Sequence, residues 1–258
     1  MPPMTIFEAP ARGNRTITKD TIEVRSLCLL SCKGETERLA QYLCESERER
    51  AARFHFRADY DRYVAARAAL RLQLGAFLEC DPKSLLFQYT SHGKPFIERC
   101  GIEFNLSHSG NWVLFAFTGS AEIGVDIEHI RPMPDMRDVA NQHFAAAEFA
   151  RWEATPERDR TEAFYRCWTR KESFIKAIGE GLSFPLDSFE VAFGLHQPAR
   201  LASVDGDEAL AAPWWMADLP GFAGYAAAVT ARLENLDTVR LVARELTNSD
   251  LLEWRNRG

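Results

Sequence analysis

Thr118-Gly119-Ser120-Ala121-Glu122-Ile123-Gly124-Val125-Asp126-Ile127-Glu128 joins a turn to a strand with two acids on one face. Thr118-Gly119-Ser120 breaks the chain between two structured patterns, and the residues after it alternate one by one. Side chains two apart in a strand share a face. Ile123, Val125 and Ile127 therefore make an apolar face, with Gly124, Asp126 and Glu128 on the other. This strand opens a second α+β unit, which divides the chain into residues 1–119 and 120–258.

Working outward, the first unit has an irregular leader over 1–20 and a strand over 22–30. Helical composition follows over 35–54 and again over 58–78, where Tyr63, Ala66, Leu70, Leu74 and Phe77 fall at helical spacing. Strands are expected over 85–89, 102–106 and 112–117, with turn chemistry at 91–95. The last of these strands is apolar throughout, as a strand buried on both faces is. In the second unit helices are expected over 135–152 and 157–178, and strands over 188–193, 214–216, 224–230 and 238–244, before a short C-terminal helix. Each half has a long helix, a Pro-containing turn and a late apolar strand ending in Thr, which suggests a repeated subdomain.

The 258 residues can bury a sizeable core, and 46% hydrophobic with 26% charged residues is an ordinary globular composition. A net charge of −6 gives no general attraction to nucleic acid or anionic lipid. No segment reaches the roughly 20 apolar residues of a membrane span, and the N-terminus lacks an apolar signal core. Six cysteines form no CxxC pair and no zinc spacing, so reduced thiols and a cytoplasmic location are expected.

Asp126 and Glu128 on one strand face, with Glu172 and Lys176 one helical turn apart, form a set able to grip a hard divalent cation beside phosphate. Each part has a plainer reading: two acids on a wet strand face, and a surface ion pair. Lys171 and Lys176 bracket Glu172 in sequence. Phe104 to Gly110, between two strands, is a polar hairpin turn or a set of hydrogen-bond donors to phosphate oxygens. The arginines at 48, 50, 53, 57, 62, 67 and 71 read as a solvated helical face. No Gly-rich phosphate loop or nucleophile elbow is present, which argues against a covalent hydrolase.

Taken in order, Gly93-Lys94-Pro95, Phe104-Asn105-Leu106-Ser107-His108-Ser109, Gly124-Val125-Asp126-Ile127-Glu128, Phe144 to Glu148 and Trp168 to Lys176 resemble the 4′-phosphopantetheinyl transferases, specifically the long Sfp-type enzymes. The resemblance implies two similar α+β subdomains related by a pseudo-two-fold, with coenzyme A in the cleft between them. It implies Mg²⁺-dependent transfer of phosphopantetheine from coenzyme A to a serine of an apo acyl or peptidyl carrier protein, by a monomer. By the same resemblance Asp126, Glu128 and Glu172 look like the Mg²⁺ ligands, and Lys176 like the pyrophosphate-binding lysine. Arg62, Lys94, Ser107 and His108 would contact coenzyme A, and Glu148 sits where the family has a candidate general base. Glu47, Arg48 and Arg50 stand where family members often carry a lysine.

Overall fold

The stretches rich in β-branched and aromatic residues become strands, and the long 3.6-period stripes become helices. The computed structural model describes residues 6–7, 17–194 and 197–252, so most of the leader expected over 1–20 lies outside the described residues. In chain order the first half has β1 (Ile6–Phe7), β2 (Thr21–Cys28), α1 (Thr36–Leu39), α2 (Glu45–Ala52), α3 (Arg57–Leu78), β3 (Gln88–Tyr89), β4 (Pro95–Phe96), β5 (Glu103–Ser109) and β6 (Trp112–Thr118). The second has β7 (Ile123–His129), α4 (Met136–His143), α5 (Ala146–Glu153), α6 (Glu157–Ile178), β8 (Phe189–Ala192), β9 (Arg200–Val204), α7 (Glu208–Ala211), β10 (Trp214–Asp218), β11 (Tyr225–Arg232), β12 (Arg240–Leu246) and α8 (Asn248–Leu252).

The expected repeat is present in the strand order. One sheet runs β1-β12-β2-β6-β5 and another β10-β11-β7. Within them β2-β6-β5 and β7-β11-β10 are matching three-strand units, each an opening strand beside the later strand of a consecutive pair, all antiparallel. Each repeat inserts a 22-residue helix, α3 or α6, after its first strand. A division at 119/120 does not separate the sheets, however. β12, from the second half, pairs parallel to β2 and completes the sheet of the first.

Ile22 and Val24 of β2, Leu114 and Ala116 of β6, and Ile123, Val125 and Ile127 of β7 meet in one core with Val229 and Ala231 of β11. The two sheets thus face each other through these residues. The alternate side chains of β6, Val113, Phe115 and Phe117, join Leu70 and Leu74 of α3 in a second core. Phe174 and Ile175 of α6 pack with Phe144, Phe189 and Met216 in a third. The helices therefore cover the outer faces, and β6 is buried on both sides as its composition predicts.

Two expected helices are shorter than their composition suggests. The 35–54 segment breaks at Leu43-Cys44, where Glu47 accepts from the Cys44 N–H at 3.0 Å and starts α2. The 135–152 segment breaks at Phe144-Ala145, where Glu148 accepts from the Ala145 N–H at 2.8 Å and starts α5. A carboxylate reaching back to the N-cap amide satisfies a donor that has no partner within the helix. β9 and α7 were not expected at all. No helix among the described residues is long and apolar enough to cross a membrane.

Candidate active site

The site lies where the edge strands β5 and β7 run side by side. Side chains bridge them. Asn105 Oδ1 accepts from the Val125 N–H at 3.0 Å, and Ser107 Oγ donates to Asp126 Oδ1 at 2.8 Å. Ser109 Oγ donates to Glu128 Oε2 at 2.9 Å and accepts from the His129 N–H at 3.1 Å. Period-two geometry aims Asn105, Ser107 and Ser109 at this seam and turns Phe104 and Leu106 toward the α3 core. The segment 104–110 is therefore mostly strand, not the polar turn its composition allowed. The turn itself is Gly110-Asn111, with Gly110 at φ 55°.

Glycine at 124 lets α6 lie directly on β7. A Cβ there would sit 2.1 Å from the Ser173 carbonyl oxygen and 2.4 Å from the Ala177 nitrogen. Beside it, Ser173 Oγ bonds Thr230 Oγ1 of β11 at 2.7 Å. Two further buried cations anchor the helix. Arg170 grips Asp218 at 2.5 and 2.8 Å, and Lys171 Nζ donates to the Leu186 and Phe189 carbonyls at 2.7 and 2.6 Å.

This close approach carries Lys176 across to β7. Its ammonium donates to Asp126 Oδ1 at 2.6 Å and to Ser107 Oγ at 3.0 Å. The plainer reading, Lys176 paired along its own helix with Glu172, gives way to this cross-element bond. Asp126 is 2% exposed, so it does not lie on a wet strand face. Its other oxygen, Oδ2, is buried without a partner. An unsatisfied buried carboxylate oxygen is costly and calls for a cation or donor.

The electrostatics tie the other acids to the same place. Burial pushes Glu172 up to about 7; Lys176 opposes this, while Asp126 and Glu128 add to it. Burial and then the Asp126 charge raise Glu128, with the Ser109 hydrogen bond opposing. Burial alone would lower Lys176, but Asp126, Glu172 and Glu128 outweigh it and hold the ammonium above its ordinary value. Among the described residues no three His, Cys, Asp or Glu close round a ready-made metal cage. An open set suits Mg²⁺, which keeps waters and takes one or two carboxylates with substrate phosphate. The lone Asp126 Oδ2 is the oxygen such an ion would satisfy.

His108 and Arg62 reach the seam from the α3 side. Burial, then Lys176 and Arg62, push the His108 imidazole down, with its backbone hydrogen bond and Asp126 opposing. Arg62 is exposed and bonds Asp59 at 3.1 Å, a surface pair worth at most about 1 kcal/mol and easily exchanged for a phosphate.

Three residues stand differently from the reading of the sequence. Glu148 is 0% exposed, and its carboxylate meets Lys171 Nζ at 2.7 Å and the Val191 N–H at 2.6 Å as well as the Ala145 N–H. It is sealed in the core and offers nothing to an acceptor serine. Lys171 points away from Glu172, because consecutive helical side chains do not face each other. Lys94 uses its ammonium on the backbone carbonyls of Ile123 at 3.0 Å and Ala177 at 2.9 Å. In the arginine-rich helix, too, Arg67 and Arg71 are buried and both clasp Glu47. Sequence reasoning passed over Asn105 and Ser109, although their alternation with Ser107 matches that of Gly124, Asp126 and Glu128.

Residues 122–230 match the 4′-phosphopantetheinyl transferase superfamily, and residues 31–120 match a 4′-phosphopantetheinyl transferase N-terminal domain. The 4′-phosphopantetheinyl transferase HetI of Nostoc sp. is 34% identical over 196 residues, 74% of this chain and 82% of that protein. The chain belongs to the 4′-phosphopantetheinyl transferase superfamily. The two tandem matches mark it as a long, Sfp-type phosphopantetheinyl transferase. The 4′-phosphopantetheinyl transferase Sfp of Bacillus subtilis is 36% identical over 169 residues, 65% of this chain and 73% of that protein. A Chronobacterium ammoniagenes ACPS–CoA complex overlaps 45% of this chain and 99% of its own at 20% identity and a TM-score of 0.34. The superfamily match runs over the phosphopantetheinyl transferase segment from β7 through α6 to β11, which includes every acid of the seam.

Proposed function

We propose that this phosphopantetheinyl transferase moves the 4′-phosphopantetheine arm of coenzyme A onto a serine of an apo acyl or peptidyl carrier protein, with Mg²⁺, releasing adenosine 3′,5′-bisphosphate. The observation that carries this reading is the Asp126–Lys176 pair at the seam, with one Asp126 oxygen left unpartnered beside Ser107.

Asp126, Glu128 and Glu172 would hold the metal. When bound, Mg²⁺ supplies charge neutralisation to the pyrophosphate whose bond breaks. Lys176 stands next to these acids with its charge secured, and it takes the phosphate that leaves. Ser107 holds both partners of the pair in register, and its hydroxyl can turn to a phosphate oxygen. His108 and Arg62 bind the remaining coenzyme phosphates from the α3 side, outside the acid cluster, so that anion and carboxylates do not compete. The serine's proton must be taken from within the seam, because Glu148 is closed off. The seam is complete within one chain, which fits a monomer, and the six free cysteines fit a reducing, cytoplasmic setting.

Intact-protein mass spectrometry of apo carrier domains incubated with the enzyme, coenzyme A and Mg²⁺ tests the proposal. One added phosphopantetheine mass, lost with EDTA and in Glu172→Ala, is expected. Several carrier types all staying unmodified, while coenzyme A still binds, would leave a non-catalytic binding protein.

A further inference from the structure

Lys94 sits in a turn built to hold one position. Its N–H donates to Thr90 Oγ1 at 3.1 Å, its carbonyl accepts from the Thr90 N–H at 3.0 Å, and the Gly93 N–H reaches the Thr90 carbonyl at 2.9 Å. Gly93 takes φ 83°, which a side chain would resist. From this base the lysine crosses into the second half. A Cβ on Gly179 would meet the Lys94 Cδ at 3.5 Å, so the stem lies against the end of α6. His92 Nε2 and Ser183 Oγ, at 3.1 Å, make a second link between the same two segments.

The two carbonyls that Lys94 binds belong to the two elements that carry the site. Ile123 is the first residue of β7, which bears Asp126 and Glu128. Ala177 follows Lys176 directly, in the last turn of α6, which bears Glu172. The carbonyls of a last helical turn have no partner inside the helix, and a cation there also meets the negative end of the helix dipole. Two of the three ammonium donors are thus spent on backbone carbonyls.

Resting on the reading of the seam as the active site, we infer that Lys94 is a positioning residue. It ties the start of β7 to the end of α6, and so fixes Asp126 and Glu128 relative to Glu172 and Lys176. It does not bind coenzyme A through its ammonium.

The test compares wild type with Lys94→Met and Lys94→Arg, using steady-state transfer kinetics and hydrogen-exchange mass spectrometry. Lys94→Met is expected to lose about 10- to 100-fold in kcat, as a small misplacement of reacting groups does. Its KM for coenzyme A should stay within about threefold, because no ground-state contact is removed. Exchange should quicken over 123–128 and 172–179. Lys94→Arg, whose fork can still donate to two carbonyls, should recover most of kcat. Should Lys94→Met not fold, the arginine variant and Lys94→Gln are read in the same way. A raised KM for coenzyme A with kcat intact would make Lys94 a coenzyme contact and overturn the inference. So would unchanged kinetics and exchange. If wild type modifies no carrier, the reading of the site fails by itself, and the exchange comparison still decides whether the tie exists.

Discussion

The two halves share a strand order and a 22-residue helix, but they separate helix from sheet by opposite means. In the first, aromatic bulk fills the gap: Phe77 of α3 meets Phe117 of β6 with ring centroids 5.1 Å apart, and Phe104 and Phe115 lie in the same core. In the second, Gly124 removes the side chain altogether, and α6 rests on the backbone of β7. Their buried charges differ in the same sense. Glu47 has each oxygen taken by a guanidinium, Arg67 on one and Arg71 on the other, the latter at 2.6 Å. Asp126 keeps one oxygen unpartnered. The Glu47 cluster is closed and structural. The Asp126 seam is brought close enough for opposite charges to meet, and is left one partner short, as a site for a cation and phosphate must be.

The contrast can be broken at either end. The largest expected effect is on the open side: Asp126→Ala should slow carrier modification by about 10³-fold, with folding retained, read as the rate of carrier mass gain. On the closed side, Phe117→Ala should cost about 3–5 kcal/mol in chemical denaturation, while the folded fraction turns over normally. Glu47→Gln leaves two buried guanidiniums without a counter-charge and should cost about 3 kcal/mol.

The Glu47 cluster also responds to pH. Burial would raise Glu47, but Arg71 and Arg67 hold its carboxyl below its ordinary 4.5. A depressed folded value contributes stability that is present above the unfolded value and lost as pH falls through the folded one. Thermal melts of wild type should therefore fall off below about pH 4.5 more steeply than those of Glu47→Gln. The smallest effect on rate is expected from Glu148→Gln, which should leave the pH profile of turnover unmoved while lowering the melting temperature.

Much of this was legible. The alternation at 122–128 placed Asp126 and Glu128 on the face they occupy, and the long helices over 58–78 and 157–178 were readable from their periodicity. What escaped were contacts between residues far apart in sequence. Nothing local says that β12 returns to pair with β2, or that Lys94 reaches carbonyls of the other half. The breaks before α2 and α5 were hidden because Cys44 and Ala145 stand at the N-caps, where Ser, Thr, Asp or Asn would have signalled them. Glu148 was read as a catalytic base from its place in a family motif. Only burial shows that its partners are backbone amides and Lys171.

The site exists because α6 touches β7 without a side chain between them. Gly124→Ala tests it most directly, measured as carrier modification by protein whose folded state is confirmed by circular dichroism. The added methyl must push the Ser173 and Ala177 backbone away, separating Glu172 and Lys176 from Asp126. Turnover at saturating coenzyme A should drop by at least about tenfold. A folded Gly124→Ala protein working at the wild-type rate would contradict the account.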